Sequence, residues 1–332
     1  GVNLLKNIKN DIMKDSTKTN LKSRREFLGT SAKVMGTGAL LSSLPISVSA
    51  YAGAAGEIKV ALVGCGGRGT GAASQAIEAD PDVRLVAMAD VFGDRLDKCF
   101  KSLSTKYDGK DKIQVNDASK FTDFDGYKKA IDMDDVVILT TPPGFRPLHF
   151  EYAVAQGKHV FMEKPLATDV DGIKRILEAG KEAKRKKLNV VVGLQRHYQK
   201  NYREVDKIVK NGTLGDIVSG QVYWNGGGVW TRPRQPAQTE LEYQMLNWYY
   251  FTWICGDHIL EQHIHNIDVA NWYIGSAPTS AQGMGGRETR KGKDNGHIFD
   301  HHFVEFVYPE GQVISSQCRH QRNCMNRVEE VF

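Results

Sequence analysis

The stretch Ile58-Lys59-Val60-Ala61-Leu62-Val63-Gly64-Cys65-Gly66-Gly67-Arg68-Gly69 decides how this chain folds. Its first half is a short apolar run rich in β-branched residues, the signature of a buried strand. Its second half fits G-x-G-x-x-G and opens a helical pattern. Gly64 permits a tight turn, Gly66 lets the backbone approach a pyrophosphate, and Gly69 allows close packing of helix on strand. The helix start through Gly67 and Arg68 offers unpaired N–H groups and the positive end of a dipole to phosphates. Asp90 ends the next strand, 26 residues beyond Gly64, where a carboxylate accepts from ribose hydroxyls. Strand, loop, helix and acid together predict a dinucleotide site. The carboxylate would repel a 2′-phosphate, so NAD is expected, while Arg95 nearby leaves NADP open.

Outward from this loop, strand and helix patterns alternate. Strand runs are read at 58–63, 83–89, 136–139, 159–162 and 189–193, with helices at 71–79, 95–103, 126–131, 147–156 and 169–186. Such alternation predicts an α/β fold: a doubly wound parallel Rossmann sheet with helices on both faces. After His197 the text changes. A helix at 201–210, strands at 217–224, 303–308 and 313–317, and a helix across 257–273 predict a C-terminal α+β domain on a mostly antiparallel open sheet. The expected organisation is a leader at 1–50, a nucleotide-binding domain at 57–197, and a substrate and dimerisation domain at 198–332. The pattern breaks off at Val331-Phe332, as expected of a fragment.

The leader has its own logic. Ser23-Arg24-Arg25-Glu26-Phe27-Leu28 precedes a weakly apolar Gly/Ala/Ser stretch that ends in Val48-Ser49-Ala50. Paired arginines before a short run with a small-residue cleavage site predict a twin-arginine signal, with the export machinery as partner and the periplasm as destination. Lys33 and the glycines make the run too weakly apolar for a stable span. That route carries folded proteins, and free nicotinamide cofactor is scarce outside the cytoplasm. A tightly bound cofactor, loaded before export, is therefore expected.

The net charge is +5, but Lys6, Lys9, Lys14, Lys18, Lys22, Arg24, Arg25 and Lys33 all precede the cleavage site. The mature chain is nearly neutral, which gives no case for nucleic acid or a membrane surface. The five cysteines show no zinc spacing. Cys318 and Cys324 are readable either as a pair or as two free thiols.

Two further motifs complete a pattern. One is Ala155-Gln156-Gly157-Lys158-His159-Val160-Phe161-Met162-Glu163-Lys164-Pro165-Leu166, preceded by Thr141-Pro142 and His149. The other is Glu261-Gln262-His263-Ile264-His265-Asn266-Ile267-Asp268. With the glycine loop, these resemble the glucose–fructose oxidoreductase/inositol dehydrogenase (Gfo/Idh/MocA) family from about Glu57 onward. The resemblance implies an NAD(P)-dependent oxidoreductase acting on CH–OH groups of a sugar or polyol, in a homo-oligomer. It implies that Thr141, Pro142, His149, Glu163 and Lys164 meet the cofactor, with Lys164 beside the nicotinamide and the reacting hydroxyl. His265 matches the family's catalytic histidine and Asp268 its trailing aspartate. The family's leading Asp is Glu261 here and its Gly is His263, which points to a distinct branch.

The residues support such chemistry on their own terms. A continuous helix would put His258, Glu261, His265 and Asp268 on one face. A histidine held by a carboxylate can act as general base, and a lysine at the carboxyl end of a strand can stabilise an alkoxide. The same four groups could instead hold a metal, although no metal is expected once Lys164 and the cofactor loop account for the chemistry. Arg196 and Tyr198, just after the last Rossmann strand, are expected at substrate hydroxyls, with His263 and Asp268. Two rivals stand beside net oxidation. One is an NAD-dependent glycoside hydrolase of the α-N-acetylgalactosaminidase kind, working by transient oxidation and elimination. The other is an inactive sugar-binding protein on the same fold.

Overall fold

The computed structural model describes residues 56–332. The twin-arginine leader lies outside the described residues. The first layered unit runs β1 (Ile58–Val63), α1 (Gly67–Ala79), β2 (Val83–Ala89), α2 (Gly93–Lys106), β3 (Lys120–Phe121), α3 (Gly126–Asp132), β4 (Val136–Leu139), α4 (Arg146–Ala155), β5 (His159–Met162), α5 (Val170–Arg185) and β6 (Val190–Val192). Its sheet is wholly parallel, in the order β3-β2-β1-β4-β5-β6. The alternation of β1 explains why its text is continuously apolar. Ala61 and Val63 enter a core roofed by α3, α4 and α5, while Val60 and Leu62 enter one roofed by α1 and α2. A strand buried on both faces has no polar side to show.

The order reverses beside β1. Both β2 and β4 pair with β1, and their connections leave on opposite faces. The carboxyl ends of β1, β2, β4 and β5 therefore open onto one crevice, the place where doubly wound sheets bind ligands.

The second sheet contains β7 (Ser219–Gly226), β8 (Ser280–Gly286), β9 (His301–Val307), β10 (Val313–His320) and β11 (Arg327–Val331), in the order β11-β7-β10-β9-β8. It is antiparallel except for the β7–β10 pair. A helix α6 (Lys200–Lys210) leads into it, and short helices α7 (Glu240–Leu246) and α8 (Thr252–Cys255) lie between β7 and the segment that carries Glu261. Helix α7 starts on a capping box, in which Glu242 N–H donates to Thr239 Oγ1 at 3.3 Å and Thr239 N–H to Glu242 Oε2 at 2.8 Å.

The expected continuous helix over 257–273 is broken into α9 (His258–Glu261) and α10 (Ile264–Ile274). His263 N–H reaches back five residues to the His258 carbonyl, at 3.2 Å. The His263 ring is drawn under the sheet, where Nε2 meets Ser316 Oγ at 2.7 Å. The single-face alignment of His258, Glu261, His265 and Asp268 is lost at this break.

Two glycines test the packing in opposite directions. A Cβ on Gly69 would stand 1.9 Å from the Gly64 carbonyl oxygen, so Gly69→Ala must part α1 from β1. Overpacking of that kind should cost about 1–3 kcal/mol. A Cβ on Gly180, inside α5, meets nothing within 4 Å, and Gly180→Ala should gain about 0.5–1 kcal/mol. Urea unfolding of both variants is expected to move the midpoint down for the first and up for the second.

Candidate active site

The nucleotide cradle is built from the start of α1. Its N-cap is Gly66, which supplies no side-chain acceptor, and the first turn holds no acidic residue. The first helical bond is Thr70 N–H to Gly66 O, at 2.9 Å. The preceding amides of the turn are left for a ligand anion. A Cβ on Gly66 or Gly67 would meet nothing within 4 Å, so the space above them is open. Gly64, at φ +100°, lies so close to β4 that a Cβ would sit 2.6 Å from Thr141 N. The glycines thus divide as expected, two for close packing and two for room. A cavity of about 1370 Å³ runs from this loop past Asp90 and Thr141 to Lys164 and Glu261. Its shape and donors fit a dinucleotide.

Asp90 lies at the expected end of β2. Its Oδ2 accepts from Cys65 N–H at 2.7 Å and its Oδ1 from Phe92 N–H at 2.9 Å. The carboxylate therefore ties the glycine loop to the β2 turn and keeps its remaining lone pairs toward the cavity. Burial raises its pKa against those two amides. Arg68 crosses the cavity and places Nε 2.6 Å from Glu163 Oε1. Glu163 is itself pressed against Gly193, where a Cβ would fall 2.6 Å from its carboxylate.

Thr141, Pro142 and His149 line the same crevice. Thr141 Oγ1 lies 3.1 Å from His149 Nδ1. Burial, and then the charge of Arg146, lower the His149 pKa to about 3, so the ring is neutral. Arg146 was not legible as a site residue. It is fully buried, and it donates to the carbonyls of Leu139 at 2.6 Å and Thr141 at 2.7 Å. These bonds fix the carboxyl end of β4 where the crevice begins. Burial pulls its pKa down to about 10, which leaves it charged.

At the far end of the cavity Lys164 meets Glu261. The ammonium donates to Glu261 Oε1 at 2.8 Å and also to the Glu261 carbonyl. Both side chains are largely buried. This pair joins the end of β5 to α9. Tyr249 packs in the aromatic core nearby. Its hydroxyl is buried without a hydrogen-bond partner, and burial with the charge of Glu261 raises its pKa.

His265 is buried on the first turn of α10, with Nδ1 unpartnered and its ring 6.0 Å from that of Trp224. Burial, then the charges of Lys164 and Arg196, lower its pKa to about 3. It is a neutral imidazole that feels the Lys164 charge, and it lies outside the residues that line the cavity. The other expected substrate contacts have different partners. Asp268 accepts from His197 at 2.8 Å rather than holding His265. Arg196 is buried in an ion pair with Glu330 on β11. His263 is fully buried on Ser316, inside the fold. Tyr198 is exposed on the turn after β6 and lies outside the cavity lining.

The four groups weighed as a metal set do not converge, because Glu261 turns to Lys164 and Asp268 to His197. Asp257, His258 and His302 do bring ligand-type atoms within 4.8 Å of one another. The Asp257 carboxylate there is already occupied by His258 N–H, His258 Nδ1 and Phe299 N–H. Cys318 is buried and Cys324 exposed, and both are free thiols.

The comparisons with known proteins follow this geometry. Residues 58–193 match the oxidoreductase family model with an NAD-binding Rossmann fold, and residues 202–329 match the GFO/IDH/MocA C-terminal domain. The chain belongs to the GFO/IDH/MocA oxidoreductase family. It is 29% identical over 231 residues to an inositol 2-dehydrogenase of Serratia proteamaculans, covering 69% of this chain and 57% of that protein. It is 27% identical over 179 residues to a 2,7-anhydro-N-acetylneuraminate hydratase of Escherichia coli, covering 54% of this chain and 44% of that one. The chain spans less than two thirds of the curated relatives it matches. In fold it is similar to the scyllo-inositol dehydrogenase of Lactobacillus casei, with a TM-score of 0.63 and 22% identity over 83% of this chain and 73% of that one. The matched model is that of an oxidoreductase family with an NAD-binding Rossmann fold, and the parallel sheet order above is the fold expected of it.

Buried neutral imidazoles make the fold acid-sensitive. The pKa values of His149, His263 and His265 are each lowered from 6.5 to about 3 by burial, and those of His258 and His320 are lowered too. Above pH 6.5 such a group is neutral in both states. Below it only the unfolded state takes up the proton, so stability is lost as pH falls toward 3. Asp134 opposes this, since burial raises its pKa to about 8 and stability tied to its protonation returns as pH falls. Histidines outnumber it, and each costs up to about 1.4 kcal/mol per pH unit. Urea midpoints are expected to drop between pH 7 and pH 5; a flat profile would contradict the assigned neutral histidines.

Proposed function

We propose that this chain is an exported oxidoreductase that moves hydride between a nicotinamide and a hydroxyl-bearing carbon of a sugar or polyol. The observation that carries the reading is the Lys164–Glu261 pair at the closed end of the nucleotide cavity. NAD, when bound, supplies the hydride acceptor. Lys164 places a fixed positive charge where the hydroxyl oxygen becomes an alkoxide, and a largely desolvated charge acts more strongly than one in water. Glu261 holds the ammonium in that position. His265, whose neutral ring feels the Lys164 charge, is the histidine that the resemblance implies as the proton acceptor. The inositol 2-dehydrogenase relatives support a cyclic polyol or sugar as the substrate class.

Lys164→Ala is expected to lower turnover by at least about a hundredfold while the protein still binds nucleotide. Turnover would be followed by NADH absorbance over a panel of inositols, aldoses and glycosides, and binding by calorimetry. Unchanged turnover would remove Lys164 from the mechanism. Sugar binding with no reduction of nucleotide by any compound would favour a binding protein instead.

A second reading has one observation in its favour. A relative that matches 54% of this chain is named as a hydratase, a reaction without net oxidation. In an NAD-dependent glycosidase, hydride would pass from a sugar hydroxyl carbon to NAD, the acidified neighbouring C–H would lose its proton as the aglycone leaves, water would add to the resulting unsaturated ketone, and return of the hydride would give the free sugar. Free sugar released without accumulating NADH would select this reading. Sugar release matched by NADH would exclude it.

Export is proposed on Arg24, Arg25 and the small-residue site at Ala50. Replacing both arginines by lysine is expected to leave folded, nucleotide-bound protein in the cytoplasm with its leader intact. Fractionation that finds the double variant exported like the parent would overturn the twin-arginine route.

A further inference from the structure

The nucleotide cavity has a wall that the dinucleotide-binding unit does not supply. Trp230, Arg232, Met245, Leu246 and Trp248 line it together with Asp90, Phe92 and Arg95. Asp90 and Phe92 mark the end where the adenosine ribose of a dinucleotide belongs. Segment 229–248, from the second half of the chain, therefore lies across the adenosine end of the groove, far along the cavity from Lys164.

This segment is held firmly. The fully buried Asn247 accepts Arg232 N–H at 2.7 Å and donates Nδ2 to the Arg232 carbonyl at 3.1 Å. Arg232 also donates a guanidinium hydrogen to the Leu246 carbonyl at 2.6 Å. Tyr250 Oη donates to the Val229 carbonyl at 2.9 Å. Val91, Phe92 and Phe145 of the nucleotide-binding unit pack onto the aromatic core beneath it, which includes Tyr243, Tyr249 and Phe251. Trp230 and Arg232 themselves sit on an exposed irregular stretch that these bonds anchor to the core.

Two guanidinium groups face this part of the groove. The Arg232 guanidinium lies 4.3 Å from the centroid of the Trp230 ring, and Arg95 lies 4.9 Å from that of Phe92. Among the described residues no carboxylate pairs with either guanidinium. Partial burial, then the charge of Arg95, lower the pKa of Arg232. Arg232 and Arg95 act on each other in a groove that Asp90, Asp94, Asp123 and Asp125 also line, and a π-system or an anion between the two guanidinium groups would relieve their repulsion. A nucleotide offers both.

We infer that segment 229–248 is a fixed cover for the adenosine moiety, with Arg232 and Trp230 opposite Arg95 and Phe92, and that it slows exchange of the dinucleotide. The inference rests on the oxidoreductase reading above and adds to it the part of the chain that retains the cofactor. Planar guanidinium and indole groups suit the adenine ring, and the positive charges suit the adjoining phosphates. A nucleotide held from both halves of the chain must leave past this anchored segment.

The test is an exchange measurement on the full chain. Protein loaded with adenine-labelled NAD is chased with excess unlabelled NAD, and the retained label is followed by rapid filtration. Arg232→Ala and Trp230→Ala are each expected to speed exchange about tenfold. The backbone bonds of Arg232 to Asn247 survive the first substitution, and the second leaves them untouched, so at least one variant should keep its fold by urea unfolding. Affinity for nicotinamide mononucleotide, which lacks adenosine, is expected to stay within about twofold in both. Exchange as fast in the parent as in both variants would overturn the cover. Equal weakening of nicotinamide mononucleotide would also overturn it, since the residues would then act on the whole groove. A parent chain that binds no dinucleotide at all would instead remove the oxidoreductase reading beneath it.

Discussion

The Lys164–Glu261 contact is the constraint on which the site depends. It links the carboxyl end of a central parallel strand to the short helix that begins the second motif. Two largely desolvated charges contribute little net stability, because desolvation cancels most of their attraction. What such a pair does supply is position. An ammonium held by both the Glu261 carboxylate and its carbonyl has little freedom to swing away from the end of the groove. Its charge also acts on His265, which helps to keep that ring neutral.

The rest of the crevice is arranged around this fixed end. Arg146 pins β4 from beneath, and Asp90 ties the glycine loop to the β2 turn. Arg68 and Glu163 make a second link across the opening. None of these contacts is large in energy alone. Together they hold four strand ends at one height, so that a dinucleotide would meet prearranged donors and would not need to order them. Prearrangement of this kind is what makes electrostatic stabilisation effective.

Much of the first unit was readable in the sequence for a physical reason. Its central strands β1, β2 and β4 are buried along most of their length, so each is a largely apolar run. Gly64 and Gly69 carry backbone requirements that other residues cannot meet, since a Cβ at either would strike neighbouring backbone. The second unit was less legible. Strand β8 is Gly-rich and exposed along most of its length, and β11 carries two glutamates and an arginine in five residues. Neither shows the alternation of a half-buried strand. Partner choice was also hidden. Arg196 and Asp268 sit where a substrate contact was expected, yet Glu330 and His197, distant in sequence, take their charges. The break at His263 has no glycine or proline to announce it. It follows from a buried hydrogen bond to Ser316, which only the assembled sheet provides.

The central claim is that hydride passes between a carbon of a polyol or sugar and a nicotinamide held in this groove. The most direct measurement uses substrates deuterated at each hydroxyl-bearing carbon, with mass spectrometry of the nucleotide recovered from the denatured protein after a single turnover. The account predicts that deuterium from one such carbon appears on the nicotinamide ring of the recovered nucleotide. Conversion of the substrate while the nucleotide stays unlabelled, for every labelled position, would contradict it.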